Sequence, residues 1–246
     1  MSRTKTVYAF FCLLLCFAFL FSACSQKDNR SVIYENNFEK GNNNTFGTFG
    51  TIVENEDKSL TLKKSEDNNV GPISYFGKNE NKNSSWVDRG LAAEITFELD
   101  PYKFETDESF NLTFTLNNKD FNSLAEVTVC FRKYNNGLRI GTAKTSGEET
   151  NITATQESNN KSKRIERSCN YTLEVSFYTS IKNEISYRVI LKEEDGTKIY
   201  TEVFEKLENA DRESVQPDQV GGFRSVSLSY MTTSEIKVKK LRLLEN

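Results

Sequence analysis

Histidine is absent from all 246 residues, which removes every imidazole-based triad, zinc site and general base at once. Cysteine is scarce: beyond residue 24 only Cys130 and Cys169 remain. With no imidazole anywhere, neither thiol has the partner that a nucleophilic cysteine needs. Positive charge is not in excess either. There are 32 Lys and Arg against 35 Asp and Glu, and a net charge of −3 gives no reason to expect a nucleic acid partner. The one dense basic cluster, KSKR at residues 161–164, sits in a polar stretch and reads as a solvated loop or a phosphate contact.

Residues 7–21, VYAFFCLLLCFAFLF, carry no charge and follow Arg3 and Lys5. The stretch has the length of an export signal's apolar region and falls short of the roughly 20 residues of a spanning helix. Ser22-Ala23-Cys24 follows directly, with Phe21 and Leu20 before it. This ending resembles the lipobox of bacterial lipoproteins, in which Cys24 would be the acylated first residue of the mature chain. A plain signal peptide cut after Ala23 and a retained N-terminal helix are the alternatives. The resemblance implies a signal peptide over 1–23, a lipidated tether over 24–30 and a single domain over 31–246. It also implies a lipid bilayer as partner and the bacterial cell envelope as location. Ser25 after the cysteine implies the outer membrane where the organism has one, and otherwise the outer face of the cell membrane. Without residues 1–24, 222 residues remain with a net charge of −5, enough for one domain with a large core.

That remainder reads as strands almost throughout. Leu91, Ala93, Ile95, Phe97 and Leu99 alternate with Glu94, Thr96 and Glu98, the pattern of a half-buried strand. Phe110, Leu112, Phe114 and Leu116 repeat it, as do Ala125, Val127, Val129 and Phe131. Asn135-Asn136-Gly137 is a hairpin turn signal. Tyr171 to Phe177 and Ile185 to Leu191 alternate likewise. Short strands are expected over 31–38, 46–53, 59–63, 73–76, 198–204, 223–231 and 235–243, and one short helix over 205–211. So many half-buried strands must pack face to face, giving an all-β, two-sheet antiparallel β-sandwich of the jelly-roll type. Cys130 lies on the polar parity of its strand and Cys169 at the start of the next alternation. A disulfide between them and two free thiols both remain open.

The order of strands, the phrase Tyr34-Glu35-Asn36-Asn37-Phe38-Glu39-Lys40-Gly41 and a last strand returning beside the first resemble the concanavalin A-like, LamG-type jelly roll of extracellular sugar-binding domains and some glycosidases. The resemblance spans roughly residues 31–244 and implies a carbohydrate- or glycan-binding module. A structural or adhesive module that binds an envelope protein is the alternative. A glycan site needs exposed rings with amides and carboxylates around them. Trp86, Asp88 and Arg89 lie in one polar loop, with Trp86 either at the rim of such a site or plugging the core. Tyr134 stands beside Asn135 and Asn136, and Tyr75 and Tyr102 are further candidates. Family 16 glycosidases carry E-x-D-x-E on one strand. Glu94-Ile95-Thr96-Phe97-Glu98 is similar, with Thr96 in place of the aspartate, so Glu94 and Glu98 are the candidate catalytic pair. Neighbouring same-face positions on a strand lie about 6–7 Å apart, within the span that glycosidases use. No cofactor is expected beyond a structural calcium, for which Asp57, Asp88 and Asp218 offer oxygens without a distinctive spacing.

Overall fold

Alternation becomes architecture because every second side chain of these segments must leave water. The computed structural model describes residues 30–47, 49–67, 69–76, 90–143, 163–233 and 235–245. Its strands are β1 (Ser31–Asn36), β2 (Thr51–Glu54), β3 (Leu60–Lys63), β4 (Ile73–Tyr75), β5 (Leu91–Leu99), β6 (Ser109–Asn118), β7 (Ser123–Tyr134), β8 (Gly137–Ala143), β9 (Lys163–Ile165), β10 (Cys169–Thr179), β11 (Ile185–Glu193), β12 (Lys198–Phe204), β13 (Val220–Met231) and β14 (Glu235–Glu245). They form two antiparallel sheets. The eight-stranded sheet runs β12-β11-β10-β5-β14-β3-β2, with β1 also paired to β14. The six-stranded sheet runs β4-β13-β6-β7-β8-β9. Strand β14 gives residues 235–238 to β3 and 241–245 to β1, so the first strand does lie beside the last.

The inner rows are those the alternation marks. Leu91, Ala93, Ile95, Phe97 and Leu99 of β5 and Tyr171, Leu173, Val175 and Phe177 of β10 are buried. They share one core with Phe110, Leu112, Phe114 and Leu116 of β6 and Val127, Val129 and Phe131 of β7. At one margin the sheets are joined by polar contacts: Thr142 of β8 donates to Glu202 of β12 at 2.6 Å, and the Tyr200 hydroxyl donates to the same carboxylate.

The Tyr34–Gly41 phrase is a folded corner. Phe38 is buried with φ 59°, a conformation unfavourable for a bulky residue. It is held there by its amide, which donates to Asn36 Oδ1 at 2.7 Å, and by contact with the Phe46 ring at 6.2 Å. Gly41 has φ 72°, and a Cβ there would meet the Glu54 carboxylate at 2.4 Å.

Two expectations are corrected. No helix forms over 205–211. The Leu207 amide donates to Ile185 O at 2.7 Å and the Val215 amide to Leu207 O at 2.9 Å. Leu207 and Val215 are both buried, so tertiary partners take the bonds that a helix would make within itself. The strand expected over 46–53 begins only at Thr51, and before it Gly47 makes an isolated bridge to Ile73.

Candidate functional site

Where β5 ends and β10 begins, antiparallel pairing sets Leu99 opposite Cys169 and Glu98 opposite Asn170. A polar pocket of about 240 Å³ opens there, lined among others by Glu98, Asp100, Ser168, Asn170, Glu194 and Lys239. Its carboxylates are positioned by donors. Ser168 Oγ donates to Asp100 Oδ1 at 2.6 Å, and the Tyr102 amide donates to the same oxygen at 3.1 Å. The Ser168 hydroxyl, with the amide adding to it, holds the Asp100 carboxyl below its ordinary range against the opposing effect of burial. Asn170 Nδ2 donates to Glu194 at 3.3 Å, and Lys239 stands 3.5 Å from Glu98. Beside Asp100 the Tyr102 ring projects with 75% of the residue exposed, its hydroxyl donating to Glu166 O at 3.0 Å. Carboxylate acceptors, an amide, an ammonium and a neighbouring aromatic face are what a cluster of sugar hydroxyls requires.

The paired-carboxylate expectation is corrected. Glu94 and Glu98 share a face of β5, but Thr96 lies between them. Four residues of strand separate their Cα atoms by about 13 Å, so the spacing of neighbouring same-face positions does not apply to this pair. Glu94 is buried and ion-paired to Arg242, whose Nε donates to it at 2.9 Å. Glu98 faces Lys237 and Lys239, each at 3.5 Å. Glu98 therefore belongs to the pocket and Glu94 to an ion-pair row.

The cysteines do not bridge. They belong to different sheets: Cys130, buried, is on the outward parity of β7 in the six-stranded sheet, and Cys169 is the first residue of β10 in the other. Tyr134 ends β7 with the Arg132 guanidinium 5.4 Å from its ring centroid. Tyr75 is exposed on β4, at the opposite edge of that sheet. Cys24, Trp86, Asp88 and Arg89 lie outside the described residues. Asp218 lies in the single-turn 3₁₀ helix Pro217–Gln219. Among the described residues no three His, Cys, Asp or Glu side chains gather as a metal site.

Asp57 instead accepts from Lys237 Nζ at 2.7 Å and Ser59 Oγ at 2.5 Å. The Lys237 contact and then the serine lower its carboxyl from 3.8 to about 2. A depressed folded value means that the contribution of this pair is in place above pH 3.8 and is lost as pH falls toward 2. An NMR titration of Asp57 is expected to show a midpoint near 2 that returns toward 3.8 in Lys237→Met. A midpoint near 3.8 in the unmodified protein contradicts the pairing.

Ser168, Asn170 and Glu194 are site residues that no local motif announces. The signal available for Asn170 is parity: it alternates with Tyr171 and Leu173, so it must face away from the core.

No family model and no curated protein matches the sequence. The fold does match solved structures. A carbohydrate esterase from the Shiga toxin-encoding bacteriophage phi24B superposes with a TM-score of 0.53 at 10% identity, over 89% of this chain and 100% of that one. Lectin II from Ulex europaeus gives 0.51 at 10% identity, over 87% and 97%. The carbohydrate recognition domain of Emp46p gives 0.50 at 11% identity, over 87% and 97%. The likeness is one of fold, and the sandwich is a lectin-like jelly roll.

Proposed function

We propose that the protein is a lipid-anchored envelope lipoprotein whose jelly roll binds a glycan in the pocket beside Tyr102. The observation that carries this reading is the pocket itself: a sugar-sized polar recess with fixed acceptors, and the exposed Tyr102 whose amide holds its Asp100. Support from outside comes from the matched folds, whose names include a lectin and a carbohydrate recognition domain. The ring would stack on an apolar sugar face while Asp100 and Glu194, the latter positioned by Asn170, accept from hydroxyls. After screening a glycan array, Tyr102→Ala is expected to weaken the best binder about tenfold, in line with an aromatic contact worth roughly 0.5–1.5 kcal/mol. Tyr102→Phe should bind normally, because only the hydroxyl bond to Glu166 is lost. Unchanged binding in both Tyr102→Ala and Asn170→Ala refutes the pocket.

The anchor rests on Cys24 and the apolar run before it. One acyl chain holds a protein only marginally, so several chains on Cys24 would be needed for stable attachment. Metabolic labelling with palmitate is expected to tag the protein and to fail in Cys24→Ser. Label that survives the substitution sinks the lipoprotein reading.

A further inference from the structure

We propose that the sugar taken by the pocket carries an unblocked amine, and that Asp100 and Glu194 bind this amine as an ammonium. The glycan reading above supplies the sugar on which this rests; the charge is what is added to it.

The two sides of the pocket differ. Strand order β11-β10-β5-β14 sets Glu194, which follows β11, on one side and Lys239 of β14 on the other. On the β14 side the charge of Glu98 is matched, because Lys237 and Lys239 each stand 3.5 Å from it. Away from that side the carboxylates meet neutral partners. The Ser168 hydroxyl and the Tyr102 amide both donate to Asp100 Oδ1, and Oδ2 meets no donor among the described residues. Glu194 meets the Asn170 side chain at 3.3 Å and no cation among the described residues. The cations nearby are engaged elsewhere. Arg167 pairs with Glu193 and, at 3.7 Å, with Asp195. Lys133 Nζ donates to Pro101 O at 2.7 Å, and it reaches Asp100, as Lys103 does, only through space.

The recess is short of hydrogens, not of oxygens. Ser168 spends its proton on Asp100, and Asn170 spends an Nδ2 hydrogen on Glu194. Asn170 Oδ1 is buried and meets no donor among the described residues, and an acceptor left in that state is costly. The fitting ligand group is therefore a donor. An ammonium offers three hydrogens and no lone pair, whereas a hydroxyl brings lone pairs that this side has little to satisfy. Its hydrogen bonds to carboxylates are charge-assisted and so stronger than those of a hydroxyl. A uronate would face Asp100 and Glu194 as a like charge, and an acetylated amine carries no charge at all. Repulsion from Lys239 turns an ammonium toward the Glu194 side. The Tyr102 ring, exposed beside Asp100, adds a face that attracts cations.

The test is isothermal titration calorimetry of the detergent-solubilised full chain with three β-1,4-linked tetramers, of glucose, N-acetylglucosamine and glucosamine, which differ only in the group on C2. The glucosamine tetramer is expected to bind about tenfold more tightly than either of the others, and the preference should shrink with salt. The carboxylates are partly exposed, so each contributes modestly. The preference is expected to fall to about threefold in Glu194→Gln or Asp100→Asn and to vanish in the double variant. Glu194→Gln carries the test alone where Asp100→Asn disturbs the turn after β5. No binding of the glucosamine tetramer, a preference unchanged in both single variants, or tighter binding of tetragalacturonate overturns the inference. So does tetralysine bound as tightly as the amino sugar, which would reduce it to attraction between net charges. Tyr102-dependent binding of the tetramers with no preference for the amine defeats this inference and leaves the pocket standing. Amine-selective binding that Glu194→Gln weakens, but that Tyr102→Ala and Asn170→Ala leave unchanged, refutes the stacked sugar and keeps the ammonium site.

Discussion

Replacing Phe97 by alanine is expected to lower stability by about 3–5 kcal/mol, the range for a buried phenylalanine. Phe97 is 0% exposed and comes from β5 of the eight-stranded sheet. Its ring meets two rings from the other sheet edge-on: Phe110 at 5.9 Å and Phe131 at 5.5 Å, each at 84°. Those two are stacked on each other at 4.5 Å and 3°. The trio therefore spans the interface between the sheets, and removing its one member from β5 takes contacts from both. The cavity has little freedom to close. Strand β5 is hydrogen-bonded to β10 and β14, and β6 to β7 and β13, so neither backbone can move inward without breaking a ladder. Phe97→Leu should cost less than about 2 kcal/mol, because volume is partly kept. Urea denaturation of both variants checks this, and for a domain of this size the alanine variant should melt about 10 °C lower. A loss below about 1 kcal/mol in Phe97→Ala would mean that the sheets are held together elsewhere.

Phe97 also shows what was legible in the sequence. The alternation through Leu91–Leu99 gave its direction, its burial and the outward direction of Glu94 and Glu98, because side-chain parity along a strand is a local property. The sandwich follows from many such strands, and the return of β14 beside β1 follows the expected order. The candidate site is legible only in pieces. Asp100 and Tyr102 are consecutive with β5, but Ser168 and Asn170 enter through β10, Glu194 from the end of β11, and Lys239 from a register shift in β14 between Val238 and Lys240. Strand pairing is non-local, and no spacing along the chain encodes it. The same reason defeated the helix expected over 205–211, where Leu207 and Val215 answer to Ile185 rather than to their sequence neighbours. It also explains the cysteines: parity placed Cys130 outward correctly, but could not say that Cys169 belongs to the opposite sheet.

Arg242→Met is expected to cost about 3–5 kcal/mol, the usual loss when one partner of a buried ion pair is removed. Glu94 and Glu174 are directly opposite on β5 and β10, only 3% and 1% exposed. Two opposed carboxylates repel, and this pair is set within a row of cations. Lys192 of β11 stands 2.8 Å from Glu174 and 3.9 Å from Glu94. Arg188 lies 3.6 Å from Glu174. Arg242 of β14 donates to Glu94 Oε2 through Nε at 2.9 Å and through Nη2, while its Nη1 lies 3.8 Å from Glu35 on β1. The two opposed carboxylates are thus flanked by a guanidinium on the β14 side and by cations on the β11 side, in a row that crosses five strands. Methionine keeps an apolar stem of similar reach, so the packing of the arginine methylenes is largely retained and the loss reports charge. Adding Glu94→Gln to Arg242→Met removes the carboxylate that the guanidinium held and should recover more than about 1 kcal/mol of the loss, a coupling expected of neighbours in one network. Urea denaturation of the two single variants and the double variant completes the cycle. Recovery in the double variant identifies a buried carboxylate that has lost its guanidinium as the cause. No recovery assigns the loss to packing, and Arg242 would then stabilise β14 through its stem alone. Recovery also bears on chemistry: a carboxylate whose removal relieves the fold when its guanidinium is gone is held as a structural anion, which leaves Glu98 as the carboxylate of β5 that lines the pocket.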